Sequence, residues 1–435
     1  MMGFLEVRRD ERRAVLLALL FFFLILASYY LIRPVRDQLS GANGLKDLPK
    51  FYSAVLVCML LLTPVYGWMV ARLPRARFIP IVYSFFIACL CGYGAWFQSG
   101  SQSTWLATSF FVWVSIFNLF VVAVFWSFMA DLFNTEQAGR LFPLIALGGS
   151  LGTLLGPLLT ELLVLRIGVG ALLLVAAAML AGALGCALLL MRQAERSAHI
   201  DSKSPPATHE LIGGSLLAGA RLVFTRKVIG SLALLMLLSD CIGGFLYAMV
   251  AEHVRSLNLG PEERTAFYGA LDLKTNLIVV GLQLLLARPL LRWLGAGGSF
   301  ALALGINFVL SAWLAFSGVA AFAVLALMGT RACAYGLQKP LLDSFYTRVD
   351  RESRYKAKAF IDTAVWRFGD LAVVLGMSGA VAAGLVTVSK LGVAVYGSAC
   401  ALAASLSGLL GWKVDRWTRA DLAGKPTLKP TAHGS

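Results

Sequence analysis

Apolar stretches of about 20 residues recur along this 435-residue chain, each long enough to cross a hydrocarbon core about 30 Å thick as a helix. No other feature constrains the fold as strongly, because a backbone in hydrocarbon must satisfy its own N–H and C=O groups. Candidate spans are 14–32, 51–70, 78–97, 105–130, 142–165 and 169–191, then 228–250, 266–287, 299–316, 320–342, 360–385 and 391–412. Composition points the same way. With 59% hydrophobic and 14% charged residues, there is too little polar surface to coat a soluble globule of this size. A soluble enzyme, a secreted disulfide scaffold and a disordered chain are excluded. The sequence predicts an all-α polytopic membrane protein with twelve transmembrane helices.

The spans form two sets of six, within 1–191 and 228–435. A hydrophilic linker over 192–227, containing Ser204-Pro205-Pro206, separates them. Leu211 to Phe224 has an amphipathic pattern suited to the membrane surface, and a solvated connector fits it equally. The layout resembles the major facilitator superfamily, whose two six-helix halves rock about a central site. The net charge of +15 is read against the membrane and not against nucleic acid. With the N-terminus inside, most of the 38 Lys+Arg fall in inner loops, and Arg33, Arg36, Lys46, Lys50, Arg166, Arg255, Arg264 and Lys390 fall outside. That bias places both termini in the cytoplasm. Arg8, Arg9, Arg12 and Arg13 precede an apolar run too long for a signal peptide, so no cleavable signal is expected. The seven cysteines lie in or beside apolar stretches without a CxxC pair and read as small buried residues. Neither a metal site nor a cofactor is expected. The chain lacks GxxxxGK[ST], HExxH and GxSxG, so it does not read as an enzyme.

Ionisable groups inside a span are costly unless they are paired or face a polar cavity, and they mark function by default. Span 1 ends in Arg33-Pro34-Val35-Arg36-Asp37, span 4 at Asp131, and span 7 holds Asp240. Span 8 carries Asp272 and Lys274, span 10 Arg331 and Lys339, and span 11 Asp362, Arg367 and Asp370. Arg33, Arg36, Lys274, Arg331, Lys339 and Arg367 are candidate ligands for an anion, since guanidinium forks bind phosphate or carboxylate in bidentate fashion. Asp37, Asp131, Asp240, Asp272, Asp362 and Asp370 are candidate gate partners or proton carriers. The competing reading makes Arg36 with Asp37, or Asp362 with Arg367, gate salt bridges. Gly67, Arg72, Arg75 and Arg77 form a short basic turn between spans 2 and 3. It resembles the superfamily's cytoplasmic gate signature, with Ala71 in place of the acidic member. Gly148, Gly152 and Gly156 give span 5 a small face for tight helix packing. A glycine-proline span 5 also resembles antiporters of that superfamily; packing is the simpler account.

Three segments carry a narrower resemblance. They are Tyr30-Leu31-Ile32-Arg33-Pro34-Val35-Arg36-Asp37-Gln38-Leu39; Phe125 to Asp131 with Glu136 to Leu144; and Asp350 to Arg354 with Lys358, Asp362 and Arg367-Phe368-Gly369. Through them the sequence resembles the ATP/ADP translocase family of bacterial and plastid nucleotide transporters. The resemblance implies exchange of nucleotides across a membrane. It places Arg36 where the family usually holds a lysine, and Asp131 where an acidic or amide residue ends span 4. Lys358, Asp362 and Arg367 fall on its pattern around span 11. Two positions depart from that pattern. Ala248 stands where span 7 usually carries an acid, and Asp370 stands where a lysine usually follows Gly369.

The expected function is alternating-access transport of a nucleotide or related phosphorylated anion, by exchange, at a midplane site lined by spans 1, 4, 7, 8, 10 and 11. The expected location is a bacterial inner membrane. The expected partners are a small anionic substrate and the lipid bilayer, with no nucleic acid and with the oligomeric state open. The alternatives are a proton-coupled carrier of another anionic or amphiphilic solute, such as a lipid or cell-wall precursor, and a non-transporting scaffold or sensor.

Overall fold

The computed structural model describes residues 7–9, 11–72, 74–100, 103–200, 216–339, 341–342 and 360–423. Every regular element among them is helical. In chain order these are α1 (Arg12–Asn43), α2 (Leu48–Arg72), α3 (Arg75–Gln98), α4 (Thr104–Leu132), α5 (Thr135–Ile200), α6 (Leu216–Thr225), α7 (Lys227–Ser256), α8 (Pro261–Gly281), α9 (Ala287–Ser317), α10 (Phe322–Cys333), α11 (Trp366–Ala382) and α12 (Lys390–Ala423). A 3-10 turn follows α1, and π-helical turns occupy Leu282–Leu286, Ala334–Gln338 and Ile361–Val365. All three π turns lie in the second half of the sequence, two of them beside charged residues of spans 10 and 11.

Two of the long elements are each a pair of helices. Gly168 interrupts α5 at φ 75°, and Gly295 interrupts α9 at φ 67°, backbone that glycine adopts without steric cost. Contacts with α1 show that the chain reverses at Gly168. Before the break, Gly148, Gly152 and Gly156 meet the backbone of Leu19, Phe23 and Ala27, and Thr160 donates to Leu31 O at 3.1 Å; the helices therefore run parallel. After the break, Ser28 donates to Ala176 O at 3.0 Å while Leu24 meets Gly182, so this part runs antiparallel. The spans expected over 142–165 and 169–191 flank this reversal. The start of α1 is close to its expected position, but the helix continues through Pro34 to Asn43, 11 residues past the expected end at 32. It can do so because the charges beyond Ile32 are paired inside the protein.

By packing, the chain divides into two compact units. The first gathers Met1–Leu211, Tyr247–Val280 and Val374–Val388; the second gathers Ile212–Leu246, Gly281–Val373 and Ser389–Ser435. The first unit therefore includes the end of α7 and nearly all of α8.

In the first unit, a built Cβ on Gly148, Gly152 or Gly156 falls 2.3, 2.5 or 2.6 Å from a carbonyl oxygen of α1. Glycine alone permits this approach, and close backbone contact is the main attraction between helices in lipid. Beside it lies an aromatic core. Phe22 stacks on Phe125 at 4.4 Å between centroids, and Phe21 meets Phe125 edge-on at 5.0 Å. The second unit centres on Ile229, Leu232, Phe300, Leu304 and Val414. There Gly397 admits α12 against the backbone of Ala315 in α9. Leu222 and Val223 of α6 pack on this core, with Phe224 exposed. Leu61, Phe85, Leu285 and Phe316 also project outward, as a hydrocarbon solvent permits.

Candidate functional site

The first unit holds a buried charge network where α1, α7 and α8 meet. Arg33 and Asp37, four residues apart, share one face of α1. Arg33 Nε lies 3.8 Å from Asp37 Oδ2 and 3.4 Å from Asp272 Oδ2 of α8. Arg36 donates to Asp37 Oδ1 from Nε at 2.8 Å and from Nη2 at 2.6 Å. Tyr247 of α7 donates its hydroxyl to the same oxygen at 3.1 Å. Ser40 Oγ stands 2.8 Å from Tyr247 Oη and 2.6 Å from the Asp37 carbonyl oxygen. Aromatic faces shield both guanidiniums: Tyr30 lies 5.5 Å from Arg33, and Phe111 of α4 lies 5.2 Å from Arg36.

Arg33, Asp37, Asp272, Tyr247 and Ser40 are all buried. The two arginines and two aspartates balance in formal charge. In a low dielectric each charge is tolerable only while its counter-ion stays, since removing one partner of such a pair costs about 3–5 kcal/mol. The network holds the end of α1 against α7 and α8 as a buried ionic latch.

The second unit contains an acid pair. Arg367 Nη1 lies 3.3 Å from Asp370 Oδ2, one turn along α11. Asp240 of α7 sits against Gly369, where a Cβ would come within 2.9 Å of Asp240 Oδ2. Trp366 hydrogen-bonds the Asp240 side chain, yet Asp240 Oδ2 is buried with no donor among the described residues. Asp240 thus lies beside the Arg367–Asp370 pair. Lys339 lies outside this group, with its ammonium 5.5 Å from the Trp366 ring.

The remaining candidates are scattered. Lys274, two residues after the buried Asp272, is exposed and makes no ion pair among the described residues. Arg331 is half-buried and Lys339 exposed. Asp131 is exposed at the end of α4. Arg72 and Arg77 are exposed where α2 and α3 face each other across the short turn. The side chains of Arg75 and Asp362, the surroundings of Gly67, and Lys358 lie outside the described residues.

Sequence reasoning passed over several members of these groups. Tyr247 directly precedes Ala248, which drew notice only for the charge it lacks, and Ser40 follows Asp37 by one turn. Glu11 was also missed. It accepts hydrogen bonds from Arg140 Nη2 at 2.9 Å and Gln137 Nε2 at 3.0 Å, tying the segment ahead of α1 to the start of α5. Desolvation raises its carboxyl, but the bonds from Arg140, Gln137 and the Arg8 amide outweigh this and hold it below its ordinary value. The one available signal was an acid among Arg8, Arg9, Arg12 and Arg13.

Long apolar helices, broken by glycines and π turns and pinned together by buried ion pairs, define a multi-pass membrane carrier. The chain belongs to the Major Facilitator Superfamily, whose pattern matches residues 52–369. Its fold is shared by solved transporters. A bacterial homologue of the iron transporter ferroportin, in an inward-facing state, aligns at a TM-score of 0.60 and 15% identity over 93% of this chain and 98% of its own. The nucleoside transporter NupG aligns at 0.57 and 14% over 94% and 99%. A D-xylose-proton symporter aligns at 0.62 and 17% over 93% and 97%. At such identities the likeness concerns fold alone. Comparison with curated protein sequences gives no match.

Proposed function

We propose that the protein carries a small anionic solute across a bacterial inner membrane by alternating access, both termini being cytoplasmic. The leading cargo class is a nucleotide or other phosphorylated metabolite, moved by exchange. The observation that carries this reading is Lys274. An exposed ammonium halfway along a transmembrane helix, without an ion pair among the described residues, is tolerated only where it faces water. In a carrier, that water is the cargo path. The neighbouring Asp272 is engaged by Arg33, so Lys274 keeps its charge for a guest. The translocase-like segments around Arg36, Asp131 and Arg367 support a phosphorylated guest, and a nucleoside transporter shares the fold.

The test is uptake into proteoliposomes of labelled ATP, ADP and sugar phosphates, with and without the same solute inside. Internal counter-substrate should accelerate uptake, and Lys274→Gln should slow it at least tenfold. Equal rates in Lys274→Gln and wild type would overturn the anionic reading.

The acid pair favours a second reading, proton-coupled transport. Asp240, whose Oδ2 is buried without a donor among the described residues, lies beside the Arg367–Asp370 pair, an arrangement in which a proton can serve as counter-ion. On this reading a pH gradient alone drives accumulation, and Asp240→Asn abolishes the gradient-driven component while sparing exchange. A D-xylose-proton symporter is among the structures with this fold.

A further inference from the structure

Three of the basic residues assigned to outer loops converge in space. Lys46, Arg255 and Arg264 line one cavity of about 440 Å³ in the first unit, together with Asn43, Asn258, Ala42 and Leu259. No acid lines it. Its walls are two turns, one after α1 and one between α7 and α8, and both are built with special backbone. Gly44 has φ 57°, and a Cβ there would fall 2.1 Å from Glu252 Oε2, so only glycine lets that carboxylate reach the Leu45 amide at 3.1 Å. Asn258, at φ 52°, has the one left-handed non-glycine backbone among the described residues. Such conformations persist where the surroundings enforce them, and they cluster at ligand sites.

Three of the nearby acids are already occupied, and Glu262 lies close enough to act on Arg264. Glu252 holds Arg255 and the Leu45 amide, Asp47 pairs with Lys50 at 3.7 Å, and Glu263 accepts from the Gly260 amide at 2.8 Å. Arg264 donates to the Leu259 carbonyl at 2.5 Å and reaches Gln38 Oε1 at 3.4 Å. Its Nε is buried and has no acceptor among the described residues. An unsatisfied buried donor costs about 1–3 kcal/mol, more on a charged group. A pocket in which Lys46 makes no ion pair among the described residues and Arg264 keeps a spare guanidinium N–H is suited to an anion.

We infer that this cavity is a binding site for a phosphate- or carboxylate-bearing anion, distinct from the cargo path at Lys274. The chemistry is common to a free anion and to an acidic lipid headgroup. Arg264 also touches Gln38, the residue after Asp37, so an occupant would brace the closed latch.

The experiment follows the melting of the purified full-length protein by tryptophan fluorescence. Inorganic phosphate is titrated in detergent at constant ionic strength. In parallel, nanodiscs of phosphatidylcholine are compared with discs containing about one-third phosphatidylglycerol. For a free anion, phosphate raises the wild-type melting temperature saturably, and Lys46→Gln and Arg264→Gln need at least tenfold more. For a headgroup, phosphatidylglycerol raises it, and the same variants lose that rise. Arg166→Gln, at an exposed cation outside both sites, should respond like wild type in either arm. Lys46 is exposed, so its substitution keeps the test valid if Arg264→Gln folds poorly. The inference falls if neither probe separates Lys46→Gln from wild type, or if Lys274→Gln alone loses the response.

Discussion

Asp37 is the carboxylate on which both span-1 arginines and the Tyr247 hydroxyl converge. Asp37→Asn keeps the shape and removes the charge, leaving Arg33 and Arg36 short of a counter-ion, and should cost about 3–5 kcal/mol. Tyr247→Phe deletes one hydrogen bond to a charged acceptor and should cost about 1.5–3 kcal/mol. Chemical denaturation of the purified variants measures both, and the reverse order of losses would mean that Asp37 is not the hub. Glu11 makes a pH prediction ahead of the first span. Its folded-state pKa lies below the ordinary 4.5, so its contribution is complete above about 4.5 and is lost as pH falls through the lower folded value. Glu11→Gln should therefore flatten the acid side of the stability–pH curve, leaving a constant deficit at neutral pH. Both positions show what a linear reading yields. The valence of Asp37 among its basic neighbours is visible in the string, whereas its third partner is 210 residues away.

At the scale of elements, the first unit is organised by the seam between α1 and the first part of α5. Gly152→Ala places a methyl 2.5 Å from the Phe23 carbonyl and 2.8 Å from the Ala27 nitrogen. Backbone cannot yield as a side chain does, so overpacking should cost about 1–3 kcal/mol. Gly185, in the second part of the same element, meets nothing within 4 Å. There alanine should be neutral or gain up to about 1 kcal/mol from helix propensity. Thermal inactivation of the two variants side by side separates packing from propensity. Glycines at four-residue spacing announced this seam because their period matches a helix face. The same sequence did not announce that α1 runs on past Arg33. A proline and three charges resemble a helix end until their partners on α7 and α8 are known.

At the scale of the whole molecule, the proposed alternating-access cycle predicts that the latch opens. Gly41 of α1 and Val254 of α7 meet closely enough that a Cβ on Gly41 would lie 3.0 Å from Val254 Cγ1, within the range of a disulfide. In a background lacking the native cysteines, Gly41→Cys with Val254→Cys should lose at least tenfold of its transport on oxidation and recover it on reduction. Full-rate transport by the cross-linked form would show that this contact stays closed throughout the cycle.

Long apolar runs, their helical period and the bias of basic residues determined that this chain is a bundle of membrane helices, because the cost of exposing peptide groups to hydrocarbon leaves a single solution for each run. The sequence also supplied the charged residues from which any function must be built. Tertiary structure alone decided how they are used: Arg33 and Arg36 neutralised in a latch, Asp240 set against Gly369 beside the Arg367–Asp370 pair, Lys274 left open, and Lys46, Arg255 and Arg264 brought around one cavity. The physical reason is range. Hydrophobic matching to the bilayer is read within 20 consecutive residues, but a buried charge is valued by whichever counter-charge, aromatic face or water lies within a few ångströms, and those neighbours come from helices far apart in the chain.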